Sequence, residues 1–170
     1  MSRSSSPGES RPRARSRNSW LPVSAERGRL VTPTVLFLCV HNAGKSQMAA
    51  AILRQLAGGR IDVRSAGTDP DAEIHGLSAD AVAELGADMS SQVPTRLQPA
   101  MLVEADRIVV LGTEAVVEPV PGMKATVETW VIPDPADQGV EGLDRVRLMR
   151  DDIAGRVRTL VDQIAPPQQG

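Results

Sequence analysis

The 170-residue sequence predicts an α/β fold, a three-layer sandwich around a central four-stranded parallel sheet. Three observations carry this. Short apolar runs alternate with stretches of helical periodicity from residue 34 to residue 164. The first run, Thr34-Val-Leu-Phe-Leu-Cys39, is continuously apolar, as expected for a strand covered on both faces. The last segment, about 141–164, repeats Val146, Met149, Ile153, Val157, Leu160 and Ile164 at spacings of three or four, the stripe of an amphipathic helix.

The remaining elements follow in order. Residues 45–57 read as a helix with Met48, Ile52 and Leu56 on one stripe, stopped by Gly58-Gly59. Ile61–Ser65 is a short second strand ending at Ala66-Gly67. Residues 78–86 form a helix with Ala79, Val82 and Ala83 inward, closed by Gly86. A short helix near 98–104 leads into a third strand, Arg107–Leu111. Residues 125–132, with Val127, Trp130 and Ile132, make the fourth. Such strand–helix alternation implies right-handed crossovers, with ligands binding beyond the carboxyl ends of the strands. Cys39 lies at such an end.

Composition narrows the class. The longest apolar stretches fall far short of the roughly 18–20 residues that a membrane span needs. The first thirty residues lack an apolar h-region, so a secretory signal is not expected. One cysteine permits no internal disulfide, which suits a reducing, cytoplasmic setting. Residues 1–30 hold seven Arg against two Glu, a net of +5, and leave −7 on the remainder of a chain whose total is −2. This Ser-, Arg- and Pro-rich stretch is expected to be a disordered basic tail, with contact to nucleic acid or another polyanion as a conceivable use. The domain is expected over 31–166, followed by a short tail at 167–170.

The chemistry concentrates in Cys39-Val40-His41-Asn42-Ala43-Gly44-Lys45-Ser46, between the first strand and the first helix. Its end echoes the nucleotide loop G-x-x-x-x-G-K-[ST], but Cys39 stands where that loop has its first Gly. The candidate magnesium-holding strand ends in Leu111-Gly112-Thr113 instead of Asp. A thiolate cradle uses the stretch better. A cysteine opening a loop into a helix N-terminus faces unpaired backbone N–H groups, which favour both a thiolate and a tetrahedral oxyanion above it. Asn42 can hold the loop from within, and Ser46 can donate to the sulfur. His41 could raise the local positive potential or simply fill the turn. His75, among Asp69, Asp71 and Glu73, reads as a solvated surface residue. No metal-ligand spacing and no bound cofactor are expected.

The strings VLFLCVHNAGKSQMAAAIL, VRSAGT, ADRIVVLG and WVIPDPADQGVEGLDRVRLMRDDI, in this order, resemble the low-molecular-weight protein tyrosine phosphatase superfamily. Within it they are most similar to arsenate reductases of the arsenate–mycothiol transferase type. The resemblance spans about residues 33–164 and implies a low-molecular-weight phosphatase-like fold. It makes Cys39 the nucleophile of a C-x₅-R-[ST] loop and residues 40–45 (Val40, His41, Asn42, Ala43, Gly44, Lys45) the oxyanion cradle. Ser46 would support the thiolate, and Asp134, in Asp134-Pro135, would be the general acid. Ser65–Thr68 would be a structural turn flanking the loop.

Three departures qualify what the resemblance implies. The loop arginine is Lys45, a point charge in place of a planar fork, so transition-state stabilisation is expected to fall by a few kcal/mol (order of magnitude) if one charge-assisted contact is lost. The chain has no tyrosine, and Asp134-Pro135-Ala136-Asp137 contains no aromatic residue to stack on a phenyl ring, which favours a small inorganic oxyanion over phosphotyrosine. A lone cysteine cannot complete an intramolecular redox relay, so the reductant would be an external mycothiol-like thiol with a separate redoxin. Three readings stay open: an arsenate reductase or arsenate–thiol transferase slowed by Lys45, a slow phosphatase acting on phosphomonoesters, and a non-catalytic oxyanion-binding regulator.

Overall fold

The structure is a computed structural model that describes residues 32–166. The expected basic tail and the final segment lie outside the described residues. Strands β1 (Thr34–Cys39), β2 (Asp62–Gly67), β3 (Arg107–Leu111) and β4 (Val127–Trp130) form one sheet in the order β2-β1-β3-β4, all parallel. Helices α1 (Lys45–Ala57), α2 (Gly76–Ala83), α3 (Pro99–Glu104) and α4 (Gly142–Ile164) complete the α/β architecture, and a 3₁₀ turn, Pro135–Gln138, precedes α4.

Period-two geometry divides β1 between two cores. Val35 and Phe37 point into one core, with residues of α1, α2 and α4. Leu36 and Leu38 point into the other, with Leu102 of α3, Ala105, and Ile108 and Val110 of β3. Both faces are covered, so the strand reads as an unbroken apolar run. The second cover is the thinner: one short helix plus Ala115, Val117, Val120, Met123 and Ala125 from the irregular segment before β4. Phe37 packs on Trp130 with ring centroids 5.8 Å apart and planes tilted by 56°, tying the central strand to the edge strand. Burying a side chain such as Phe37 or Leu53 completely stabilises the fold by roughly 1.5–3 kcal/mol.

Helix α1 ends at Gly58, whose left-handed backbone lets its N–H reach the Arg54 carbonyl at 3.2 Å. In α4 the expected apolar stripe is buried from Val146 to Leu160, and Ile164 is partly buried. Arg150 interrupts the apolar surface. It is 8% exposed, donates to the Ala81 carbonyl at 2.8 Å and pairs with Glu84, locking α4 to α2.

Several element details differ from expectation. The second helix runs Gly76–Ala83, not 78–86, and Leu85 and Gly86 close it in a turn. It buries Ser78, Ala81 and Val82, while Ala83 faces solvent because its position rotates off that stripe. Leu56 lies at the rim of α1 and Val127 on the edge strand, so both are exposed. β4 is shorter than 125–132: it has one neighbouring strand, and Pro133 follows without an N–H for a ladder.

The order β2-β1-β3 means that the chain adds strands first to one side of β1 and then to the other, so the crevice opens beyond the end of that parallel strand. The loop 39–46 fills this position. Among the described residues no helix is long and apolar enough to cross a membrane.

A glycine remote from the crevice tests the helical scaffold. Gly155 sits inside α4 with nothing within 4 Å of an added Cβ. Gly155→Ala is expected to raise stability by about 0.5–1 kcal/mol through helix propensity alone. The midpoint of urea unfolding measures it, and a lowered midpoint would show that the site is sterically closed.

Candidate active site

β1 delivers Cys39 to the crevice at 8% exposure, and α1 begins six residues later at Lys45. The intervening chain turns on Asn42, the one described non-glycine residue with positive φ, at 49°. Asparagine tolerates this left-handed backbone better than most residues. Its side chain, fully buried, fixes the turn: Oδ1 accepts from Gln47 Nε2 at 3.1 Å and from the Thr95 backbone N–H at 2.9 Å. Nδ2 donates to Ser46 Oγ at 2.8 Å.

That last bond orients the neighbouring hydroxyl. Ser46 Oγ lies 2.9 Å from Cys39 Sγ. Having accepted from Asn42, the hydroxyl keeps its own proton to donate to sulfur. The Asn42 backbone N–H also points at Sγ, at 3.1 Å. Gln47, Asn42 and Ser46 thus form a one-way relay of donors that ends on the cysteine, an arrangement suited to a thiolate.

Gly67 closes the loop from the side. It pairs with Cys39 across the β1–β2 ladder, and a Cβ there would stand 2.5 Å from the Val40 carbonyl oxygen and 2.9 Å from Asn42 Cβ. Backbone bonds continue the contact: Thr68 N to Cys39 O, Asp69 N to Val40 O, and Asp71 N to His41 O. The expected turn at Ser65–Thr68 is therefore a wall of the loop.

Above Cys39 opens a cavity of about 590 Å³. The loop residues Val40, His41, Ala43, Gly44 and Lys45 line it, whereas Asn42 and Ser46 lie beneath. Met48, Leu111, Val146 and Met149 supply an apolar wall, and among the described residues no Phe, Tyr or Trp takes part. Lys45 is the first residue of α1, where the helix dipole disfavours a cation unless an anion sits nearby. Among the described residues it has no ion-pair partner within 4 Å. His41 swings to the rim and meets Asp71 at 3.1 Å, so it does not fill the turn. His75, read as a plain surface residue, lines the cavity; its backbone N–H reaches Ala43 O and its Nδ1 lies 2.9 Å from Ser78 Oγ.

Asp134 sits at the start of the 3₁₀ turn, where Oδ1 accepts from the Ala136 N–H at 2.9 Å. Arg145 grips both its oxygens, Nε to Oδ1 at 2.8 Å and an Nη to Oδ2. The guanidinium, then the Ala136 N–H, and more weakly the charge of Lys45, hold this carboxyl down to about 2 against an ordinary 3.8. It is ionised at neutral pH in this arrangement. A proton donor here must first lose its arginine.

Three of these residues escaped sequence reasoning. Gln47 and Thr95 act through Asn42, and only the fold brings Thr95 to it. Arg145 did leave a signal, since it stands four residues before the inward-facing Met149 on α4. Among the described residues no three His, Cys, Asp or Glu side chains gather as metal ligands.

Comparison with known proteins places this site in context. Residues 34–169 match the family described as low molecular weight phosphotyrosine protein phosphatase. An arsenate reductase of Halalkalibacterium halodurans is 36% identical over 138 residues, covering 75% of this chain and 94% of that one. The structure of a thioredoxin-dependent arsenate reductase from Corynebacterium glutamicum is similar with a TM-score of 0.62 and 32% identity. That match covers 81% of this chain, which spans only 63% of the other. A further structure, of an arsenate reductase in the phosphate binding state, gives a TM-score of 0.66 at 26% identity, over 79% of this chain and 100% of that one.

Two outcomes test the geometry. Gly67→Ala is expected to cost about 1–3 kcal/mol in urea unfolding, because the new methyl meets backbone that cannot yield; unchanged stability would mean that the loop is loosely held. The second concerns acid. Asp134's depressed value gives stability that is present above its ordinary 3.8 and lost as pH falls towards about 2. The stability difference between wild type and Asp134→Asn should shrink across that window. It should stay under about 1 kcal/mol, since the pair is partly exposed and screened. A difference unchanged down to pH 2 would contradict the pairing.

Proposed function

The chain belongs to the low-molecular-weight phosphotyrosine protein phosphatase family, and from that premise we propose that it is an arsenate reductase with Cys39 as nucleophile. The observation that carries this reading is the donor relay ending on a lone thiol at the base of an anion-ready cavity without aromatic walls. The arsenate reductases among its relatives support it. In this reading Cys39 Sγ attacks arsenic and one As–O bond breaks. The leaving oxygen takes a proton, with Asp134 as donor once Arg145 has let go of it. Backbone N–H groups of Val40, His41, Ala43, Gly44 and Lys45 and the charge of Lys45 hold the remaining oxygens, while Ser46 and the Asn42 N–H, which was expected in the cradle but lies beneath it, steady the sulfur.

Reduction of arsenate to arsenite requires two electrons. Forming one disulfide supplies them, and with Cys39 as the chain's single cysteine the second sulfur must come from outside. We assign that role to a small thiol of the mycothiol kind, with a redoxin restoring the resting thiol. A reducing cytoplasmic setting fits such a cycle. Lys45 slows it relative to an arginine loop, because a point charge follows the equatorial oxygens less well than a fork.

The volume of the cavity favours a second reading. About 590 Å³ far exceeds one inorganic oxyanion, and the wall of Met48, Leu111, Val146 and Met149 could seat an organic group. Both the thiol co-substrate and a phosphomonoester carry such a group.

Incubation of the protein with arsenate, a small thiol and a matching redoxin is expected to yield arsenite, and Cys39→Ser should reduce the yield to background. Equal arsenite from both proteins, or none from either with every thiol class tried, overturns the reductase reading. Phosphate released from an aryl phosphate, absent in Cys39→Ser, would move the assignment to a phosphatase.

A further inference from the structure

Arg145, carried by α4, lines the same cavity as Cys39 and Lys45 of the loop. It is the fourth residue of α4, and Val146 and Met149 beside it form the cavity wall, so this side of the helix faces the site. Its side chain is 43% exposed. Its present partner is a planar, singly charged acceptor: two carboxylate oxygens of Asp134 taken by two N–H groups. The same fork fits two oxygens of a tetrahedral oxyanion. The loop, meanwhile, ends in a cation that has no fork.

We infer that Arg145 is an oxyanion-binding residue of this site, supplying from α4 the guanidinium that the loop lacks at position 45, and that Asp134 occupies it until the oxyanion arrives. The inference rests on the reading of the Cys39 loop as an oxyanion cradle. Charge drives the exchange: a dianion between Lys45 and Arg145 competes with a singly charged carboxylate for the same donors. Two carboxylates on the cavity oppose it, Asp71, which meets His41, and Glu114. Glu114 Oε2 and Lys45 Nζ lie 3.1 and 3.9 Å from the point where a Gly112 Cβ would stand, which sets this carboxylate near the lysine without an ion pair. Asp134 keeps its bond from the Ala136 N–H after release, so the carboxylate stays in place and regains the capacity to carry a proton. Binding of the oxyanion and readiness of the acid are then one event.

Arg147, two residues on, is the natural control. It pairs with Glu84 and Asp144 and does not line the cavity. Calorimetric titration of the full chain with inorganic phosphate tests the inference, with urea midpoints checking that each variant folds. Arg145→Ala should weaken binding about tenfold or more, as expected for loss of a charge-assisted contact. Arg145→Lys should lie between it and wild type, and Arg147→Ala should match wild type. Asp134→Asn should bind several-fold tighter, which a merely structural role for Arg145 would not produce. Adding Lys45→Arg to Arg145→Ala should return most of the lost affinity, since the two positions do one job. Wild-type binding that is indifferent to Arg145→Ala, or weakened equally by Arg147→Ala, overturns this inference alone. A wild type that binds no phosphate overturns the cradle reading and this inference with it.

Discussion

The buried side chain of Asn42 holds the site together. One amide, in a left-handed turn, takes a bond from Gln47 on α1 and one from the backbone of Thr95, and gives one to Ser46. Each bond crosses between segments that would otherwise be free to drift. Leaving such a buried amide partly unpaired would cost about 1–3 kcal/mol per missing bond. Meeting all three at once admits essentially one loop conformation. The cysteine is therefore presented in a fixed direction, with donors already aimed at its sulfur and no reorganisation left to perform.

The rest of the architecture serves that turn. The strand order β2-β1-β3-β4 puts a switch point at β1 and so leaves space above Cys39. Gly67 removes the one side chain that would push the loop off the neighbouring strand. Arg150, buried between α4 and α2, fixes the helix that carries Arg145 and Met149 over the cavity. The electrostatics are less settled than the geometry. Lys45 and Arg145 share the cavity lining with the carboxylates Asp71 and Glu114, and Arg145 also holds Asp134, the carboxyl proposed as the proton donor.

Local signals in the sequence were enough for the sheet and the loop. Thr34–Cys39 is apolar at every position past the first because both faces are covered, and α4 repeats its stripe over most of its length. The Cys39–Ser46 stretch is contiguous, so the bonds of Asn42 within the loop and of Ser46 to the sulfur could be anticipated without knowing the fold. What was missed depends on contacts between distant segments. Thr95 lies 53 residues from Asn42, and nothing in its neighbours marks it. His75 looked solvated because it follows Asp69, Asp71 and Glu73, and it is exposed, yet the turn before α2 brings it to the cavity. Asp134 was legible as an Asp-Pro pair, but its state is set by an arginine eleven residues on, one helical turn into α4. A motif identifies a group. Its charge partner decides what that group can do.

The proposed chemistry requires Cys39 to stand at the base of a preformed oxyanion cradle. The rate at which iodoacetate alkylates Cys39, followed by the mass of its peptide as arsenate is added, tests it most directly. Saturable protection by arsenate, lost in Asn42→Ala, is the predicted result. Alkylation that proceeds at the same rate whatever the arsenate concentration would contradict it.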